Sequence, residues 1–526
     1  MKKMRTLALL LAVVLALGLL AGCGDASTGS TTDTGAATSG SGSSGGSAAS
    51  GSVEAAPAKE GVDSIVVEMI NFGYNDPDLQ AVENAINAIT EEKINVHVHF
   101  LTVPIMDMPT KLGLMVAGNE EIDIVATGLL SSPAQFAAQG LLQPLDEYIE
   151  NSAVLKEKAG AMLEACKVNG KLYAYPGTLY PGTGVALYYD KDVAAELGIN
   201  MPEHVNDPTE LEPCWQAVLD AGSALYPVSL GDGINQEMNF GFVFEDLGDH
   251  TSISYGAILD PFNGTTVEDW YESETYEKQI RMIQGWYEAG YTLPDSISNG
   301  LSTHATMEAG QCFSFFGPYA TGTDEGYWSN TTHHNVGAVH IGDTSISGAN
   351  VLQTSWGIAS TSTKAEAAIR FAELIYSDPE VATLYRYGVE GLDWVKVEGT
   401  DHTITYPDGI DSSSVGYGSF IPLFGDELQT PVLSPRDDSF YDVYEAMSIH
   451  NAKPFKYLGY SFDPSSVMSQ VTAVQAVITK YGPSLNVGVT DVDSMWPKFV
   501  SDLKDAGIDD IVAENQRQLD AWLAQQ

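Results

Sequence analysis

Positive charge is what this chain has least of: 24 lysines and arginines stand against 70 aspartates and glutamates, a formal net charge of −46. Basic side chains supply most nucleic-acid affinity by releasing phosphate counterions, so a nucleic-acid partner is excluded. An anionic ligand would enter against the long-range field unless a local basic pocket reversed it, whereas neutral and cationic ligands are favoured. Cysteine is also scarce. Cys23, Cys166, Cys214 and Cys312 include no CxxC pair, so no disulfide framework is implied. With Cys23 set aside, at most one bridge can form, and the three thiols are expected as small buried apolar groups. No GxSxG, HExxH or P-loop occurs, so catalysis has no positive motif. A glycoside hydrolase needs only an acidic pair, but among 70 acidic residues such pairs carry no information.

What is there begins at the N-terminus. Lys2, Lys3 and Arg5 precede an apolar run from Leu7 to Leu20, which ends in Ala21-Gly22-Cys23. The run is short for a bilayer span and lies between positive and small residues, as in a cleaved signal. The pattern resembles a bacterial lipoprotein signal over residues 1–22, which implies that Cys23 is lipidated and the chain held at the extracellular face of the cell membrane. Residues 23–61 are mostly Gly, Ser, Thr and Ala, a composition that cannot bury enough apolar surface to offset its ordering entropy. This tether has a root-mean-square reach of about 30–35 Å.

The remaining residues, 62–526, exceed the size at which one core stops growing, so two lobes are expected. No second apolar run is long enough to cross a bilayer. Ile65 to Ile70 reads as a strand, and Asp76-Pro77-Asp78 as an N-cap followed by proline at the first helical position. Leu79, Val82, Ala85, Ile86 and Ile89 form one buried helical face. Strands follow at Asn95–Phe100 and Asp123–Ala126, with a helix between them at about 108–117. This βαβαβ order predicts an α/β fold with a parallel, doubly wound sheet, whose ligands bind beyond the carboxyl ends of the strands. Asn71 and Tyr74 after the first strand and Thr127 after the third are thereby candidates. Trp286 sits on an apolar helical stripe with Ile283 and Tyr287 and is assigned to the core. His97 and His99 alternate on a strand, and His333-His334 is a second pair, but the further ligands of a metal site are missing.

Lys111 to Glu120 leading to Asp123-Ile124-Val125, then Gly140-Leu141-Leu142-Gln143-Pro144-Leu145-Asp146, Asn169 to Pro176 and Leu187 to Asp192 appear in sequence. Tyr287-Glu288-Ala289-Gly290-Tyr291, Met307 to Tyr319 and Ser355-Trp356-Gly357-Ile358-Ala359 continue the series. In this order they resemble the landmarks of extracellular solute-binding proteins of carbohydrate ABC importers. Tyr387 to Trp394 and the closing stretch Ala506 to Trp522 resemble the larger Gram-positive lipoproteins of that family, which carry an extra C-terminal region. The resemblance implies a bilobal periplasmic-binding-protein-like fold, two doubly wound lobes joined by hinge crossovers near Tyr175-Pro176 and Thr354-Ser355. It places the first lobe at 62–174 with 352–400 returning to it, the second at 175–351, and a C-terminal region at 401–526 packing mainly on the second lobe. A capping box at Thr363…Glu366 and the Asp378-Pro379 step set the returning helices.

The resemblance further implies a monomer that traps a sugar or oligosaccharide between its lobes and delivers it to the transmembrane subunits of an ABC permease, with neither cofactor nor metal. Sugar sites combine aromatic platforms with a few polar partners. Tyr319, in the Gly-Pro-aromatic motif, is the foremost aromatic candidate, joined by Tyr180 past the first crossover, Trp356 and Trp394. Each can instead pack in a core or brace the hinge. A peptide receptor using the same trap is the alternative, since acidic walls would suit a cationic peptide.

Overall fold

The computed structural model describes residues 56–72, 76–231, 245–247, 254, 256–321, 323–400, 402–412, 414–418, 425–434, 436, 439–460 and 462–524. Cys23 and Tyr74 lie outside them.

Strand β1 (Asp63–Asn71) is buried along most of its length, with Ile65 and Val67 at 0% exposure, the pattern of a strand covered on both faces. It pairs in parallel with β2 (Val96–Pro104) over nine residues and with β3 (Ile124–Ala126) on its other side. Helix α1 (Leu79–Lys93) joins the first two strands, and α2 (Met108–Gly118) the second and third. Apolar Val82 and Ile86 bury α1, but polar side chains fix its register. Asn87 both donates to Val98 O (2.8 Å) and accepts from Val98 N (2.7 Å), and Glu83 accepts from Phe100 N (2.8 Å). The helix starts at Leu79, later than the Asp76 cap predicted, and Asp78 makes no side-chain cap. Asp76 is engaged elsewhere, accepting from the Asn71 amide (3.2 Å) and Gly418 N (3.4 Å). His97 and His99 are each taken by a carboxylate of α1, Glu91 at 2.8 Å and Glu83 at 3.1 Å. Among the described residues no His/Cys/Asp/Glu group is placed to hold a metal.

After β4 (Tyr175–Pro176) the chain builds a second sheet from β5 (Thr183–Asp190), β6 (Tyr226–Ser229), β7 (Cys312–Ala320) and β8 (Val336–Ile346). β5 runs antiparallel to both β7 and β8, while β6 runs parallel to β7. The sheet is thus mixed in direction, because the crossover delivers β5 at the edge where β6, β7 and β8 end. Helix α3 (Glu274–Glu288) covers one face. There Trp286 is 1% exposed, stacked on Phe316 (5.8 Å, 11°) and edge-on to Trp215 (5.0 Å, 82°), the core position its stripe predicts.

Strand β9 (Ser355–Ile358) returns to the first sheet antiparallel to β3 and β4, completing the order β2-β1-β3-β9-β4. Helices α4 (Ala365–Ser377) and α5 (Pro379–Tyr387) follow. Asp378 caps α5 through Glu380 N (3.0 Å) and Val381 N (3.3 Å) as expected. The box predicted at Thr363 does not form: the Ser362 hydroxyl accepts from Lys364 N (3.1 Å) while donating to Asp123 (2.5 Å), which ties the helix start to β3.

Beyond α5, β10 (Val395–Lys396), β11 (Thr403–Thr405) and β12 (Val432–Leu433) form a small sheet. Helix α6 (Ser439–Ala446) leads to β13 (Lys453–Pro454), which joins the edge of the second sheet beside β8. Val432, Phe440 and Tyr444 share one core with Val82, Phe371 and Tyr180. Helices α7 (Met468–Asn486), α8 (Val492–Ala506) and α9 (Ile508–Leu523) instead pack with Trp270, Tyr271, Tyr276 and Ile280 of the middle segment. Cys166, Cys214 and Cys312 are all free. Cys214 departs from the expectation of burial: it is only half-buried, its sulfur 4.0 Å from Asn200 O. Among the described residues no helix is long and apolar enough to cross a membrane.

Candidate ligand-binding cleft

Strand directions select one edge of each sheet. In the first, β1 and β3 end where β9 begins, which brings Asn71-Phe72, Thr127-Gly128 and Thr354-Ser355 to the same edge. In the second, Ala320 and Ser345 are both opposite Thr183, and Ser229 is opposite Phe315, so β6, β7 and β8 end where β5 starts. The chain passes between these edges at 177–182 and at 347–354. Ligands of α/β sheets lie beyond such strand ends, and closure about crossovers is the motion this geometry permits.

The edges are tightly built. A Cβ on Gly128 would run into the backbone of Leu352 and Gln353, so the loop after β3 needs glycine for its close approach to the second crossover. Thr127, with 0% exposure, accepts nothing from solvent: its hydroxyl shares a hydrogen bond with the Ser355 hydroxyl (2.9 Å), and its N–H donates to Ser355 O (2.8 Å). Trp356 is 1% exposed, paired across β9 with Ala126 and Tyr175. Asn71 is half-buried at the end of β1. Tyr319, near the end of β7, stacks on the His340 ring (4.0 Å, 25°), and burial followed by the nearby Glu325 and Asp324 charges pushes its phenol up to about 12. Asn71, Thr127, Tyr180, Tyr319 and Trp356 therefore gather at the facing edges and crossovers. Trp394 does not: it lies beyond α5, its indole N–H donating to Gly388 O (3.0 Å).

Tyr180 leads to residues that the sequence did not single out. Its hydroxyl donates to Asp426 (2.5 Å), and its ring meets Tyr444 edge-on (5.4 Å, 61°). Burial, then the Asp426 charge, holds that phenol far above its ordinary range, so it remains the donor. Asp426 also accepts from Lys158 (2.9 Å) and the Gln429 amide (2.8 Å). Gly425 N donates to Gly177 O (3.0 Å), the Gln429 amide to Tyr376 O (2.7 Å), and the Tyr376 hydroxyl to Pro176 O. Gly425 has φ +114 and no room for a Cβ beside Ile375. Next to this strap, Glu427 is 3% exposed and hydrogen-bonded by the Thr178 hydroxyl, with Arg386 nearby. Burial raises its carboxyl to about 8 against the opposing pull of Arg386. Arg386 donates to the Thr430 hydroxyl (2.8 Å) and lies over the rings of Tyr387 (5.0 Å) and Phe440 (5.4 Å). Residues 425–430 thus knot the first crossover to α4 and α5. In a chain with 70 acidic residues, one Asp-Glu pair in an apolar stretch carried no distinguishing mark.

With a doubly covered first sheet, a mixed second sheet and two crossovers between their facing edges, the architecture is that of a two-lobed binding protein. The sequence profile of the bacterial extracellular solute-binding proteins matches residues 76–382, and the chain belongs to that family. A second profile, described as a domain of unknown function (DUF3502), matches residues 456–524, the stretch that carries α7–α9. A curated relative from Streptococcus pneumoniae, a carbohydrate ABC transporter substrate-binding protein, is 22% identical over 475 residues, covering 89% of this chain and 92% of its own length. The crystal structure of the N-glycan transport solute binding protein NgtS from Streptococcus pneumoniae superposes with a TM-score of 0.73 at 20% identity, covering 88% of this chain and 99% of that one. An HMO-binding, ABC-transporter-associated solute-binding protein from Bifidobacterium longum infantis gives a TM-score of 0.57 at 15% identity, with 88% and 99% covered. At these identities the structural likenesses speak for the fold.

Proposed function

We propose that this chain captures an oligosaccharide between its two lobes and hands it to the transmembrane subunits of a carbohydrate ABC importer. The carrying observation is the pair of facing strand edges bridged by crossovers, in a chain of the solute-binding family whose relatives are carbohydrate binders by name. The lobes would be 62–174 with 352–400, and 175–351. Of the C-terminal region, α7–α9 would belong with the second lobe, whereas 425–430 is tied to the first crossover, α4 and α5.

Asn71, Tyr74, Thr127, Tyr180, Tyr319 and Trp356 are proposed as the cleft set. Thr127, Tyr180 and Trp356 shape it rather than reach out from it, because their polar or aromatic groups are already engaged. The 425–430 knot would set the angle at which the crossovers rest, and hence the cost of closure. Cys23 is proposed as the lipidated residue, on the signal pattern before it, holding a monomer at the extracellular face of the membrane. No bond of the solute changes in this reading.

Thermal-shift screening of the mature chain tests it, since only a ligand preferring the folded state raises the midpoint. Neutral oligosaccharides such as Man5GlcNAc are expected to raise it and cationic peptides to leave it in place. A shift by peptides alone would replace the sugar with a peptide, and release of smaller saccharides on incubation would make the chain an enzyme.

A further inference from the structure

The segment following α5 lines an open pocket of about 520 Å³ that includes none of the strand ends or crossovers of the cleft. The volume lies within the range of small-molecule sites. Apolar and aromatic groups make much of its lining: Trp394, Ile404, Leu428, Pro431 and Tyr441. The Trp394 indole N–H is spent on Gly388 O, and the Tyr441 hydroxyl donates to Thr430 O (3.1 Å), so these two residues offer rings rather than donors. Gln429, also in the lining, has its amide N–H groups committed to Tyr376 and Asp426.

Four polar groups remain. Among the described residues, the hydroxyls of Thr383 and Thr403 and the imidazole of His402 have no hydrogen-bond partner, and the Lys396 ammonium has only Glu390, at 3.5 Å in an exposed pair. No carboxylate lines the pocket, although the chain carries 70 acidic residues. Two bases, two hydroxyls and two aromatic rings around one space answer a ligand that has an acidic group, several hydroxyls and an apolar C–H face.

We propose that this pocket is a second saccharide site, separate from the cleft, that takes a carboxylate-bearing sugar residue, either free or at the end of a glycan. Lys396 holds the carboxylate, His402, Thr383 and Thr403 meet ring hydroxyls, and Trp394 and Tyr441 supply the platforms. With no carboxylate in its lining, the site spares an acidic sugar the close repulsion that the acidic surface at large would exert. This inference stands whether or not the cleft binds sugar.

The test is calorimetric titration of the mature chain with N-acetylneuraminic acid, with 3′-sialyllactose and with galactose as a neutral control. Both acidic probes are expected to bind saturably, and galactose at least about tenfold more weakly, the worth of one charge-assisted contact. Equal affinity for the two acidic probes assigns the site to the free sugar acid, and tighter sialyllactose assigns it to a glycan end. Lys396→Met and His402→Ala, both at exposed positions, should each weaken the acidic probes by about fivefold or more while leaving the melting temperature in place. Absence of saturable binding, equal binding of galactose, or unchanged affinity in both variants would overturn the proposal.

Discussion

Two of the places at which the C-terminal region is fastened to the molecule are made of opposite materials. Helices α7–α9 attach by apolar surface: Phe499, Leu503, Ile508, Ile511 and Leu519 all have 0% exposure, and Phe499 meets Tyr271 edge-on (5.4 Å). A few side chains add direction, among them Gln516, which accepts from Val267 N (2.6 Å) and donates to Thr265 O (3.1 Å). The 425–430 knot attaches by charge and hydrogen bonds, with Arg386, Glu427, Asp426, Lys158 and Tyr180 in one network. Apolar burial is non-directional and stabilises in proportion to area. Buried ionic groups return little net stability after desolvation, but their geometry is demanding. One attachment is suited to keeping a lobe folded, the other to holding an angle. Substitutions in each should therefore separate stability from ligand affinity.

The largest effect is expected from Arg386→Met at about pH 9, where Glu427 is ionised: the buried carboxylate is left without its cation, which should cost about 3–5 kcal/mol in denaturant unfolding. Pairing it with Glu427→Leu should restore much of that loss, because an apolar pair of similar volume escapes the desolvation cost. If the double variant is as unstable as the single, the network is a source of stability and the contrast with α7–α9 fails. Next comes Leu503→Ala in α8, a large-to-small change at a fully buried site, with a cost of about 2–4 kcal/mol. Its affinity for a cleft ligand, measured at 25 °C where the protein is still folded, should remain within about twofold of the parent.

The apolar attachment was the more legible of the two. Ile508, Ile511 and Leu519 recur at helical steps, so the closing helix and its buried face could be read directly, as could the parallel β1-β2-β3 unit and the return of Ser355–Ala359. These features repeat locally, and local periodicity is what a sequence displays. The knot has no such period: Lys158, Tyr180, Arg386 and Asp426 are far apart in the chain and meet only because two crossovers and α5 converge. For the same reason the position of Tyr180 past the first crossover makes it a ligand candidate but does not reveal that its hydroxyl is held by a residue 246 positions away. Trp394, which follows a Gly-rich turn, lines a pocket that includes none of the other candidates. Sequence spacing identified the strand ends that border the cleft but not which side chains the tertiary fold had already engaged.

Acidity offers a third test of the contrast. Burial raises Glu427 to about 8, Glu68 to about 7 and Asp393 to about 6, all above the ordinary carboxylate values of the unfolded chain. The folded state then binds more protons than the unfolded one between about pH 4 and pH 8. Stability from these groups is fully present below about pH 4 and is lost as pH rises through 6, 7 and 8. Melting temperature should accordingly fall from pH 5.5 to pH 8.5, with Glu427 contributing roughly 2–3 kcal/mol of the change. Glu427→Gln should flatten the profile above pH 7, and Glu68→Gln below it. A profile that rises with pH in both variants and parent would contradict the buried, protonated state of Glu427.

The smallest change in stability should carry the most information about function. Tyr180→Phe removes one hydroxyl, at a cost of about 1–2 kcal/mol, since Asp426 keeps Lys158 and Gln429 as partners. The ring contact with Tyr444 survives, so the crossover stays packed while its anchor to the knot is released. If the knot holds the resting angle, the variant should change the affinity for a cleft oligosaccharide by about threefold to tenfold, and small-angle scattering should register a shift in the ligand-free radius of gyration. A direct ligand contact would act differently: affinity would fall and the ligand-free shape would not move. Asp426→Asn distinguishes the two further, because it weakens the same anchor from the opposite side without altering Tyr180. Matching shifts in affinity and shape from both variants would establish the knot as the element that sets the cost of closure. A loss of affinity in Tyr180→Phe alone would return Tyr180 to the ligand.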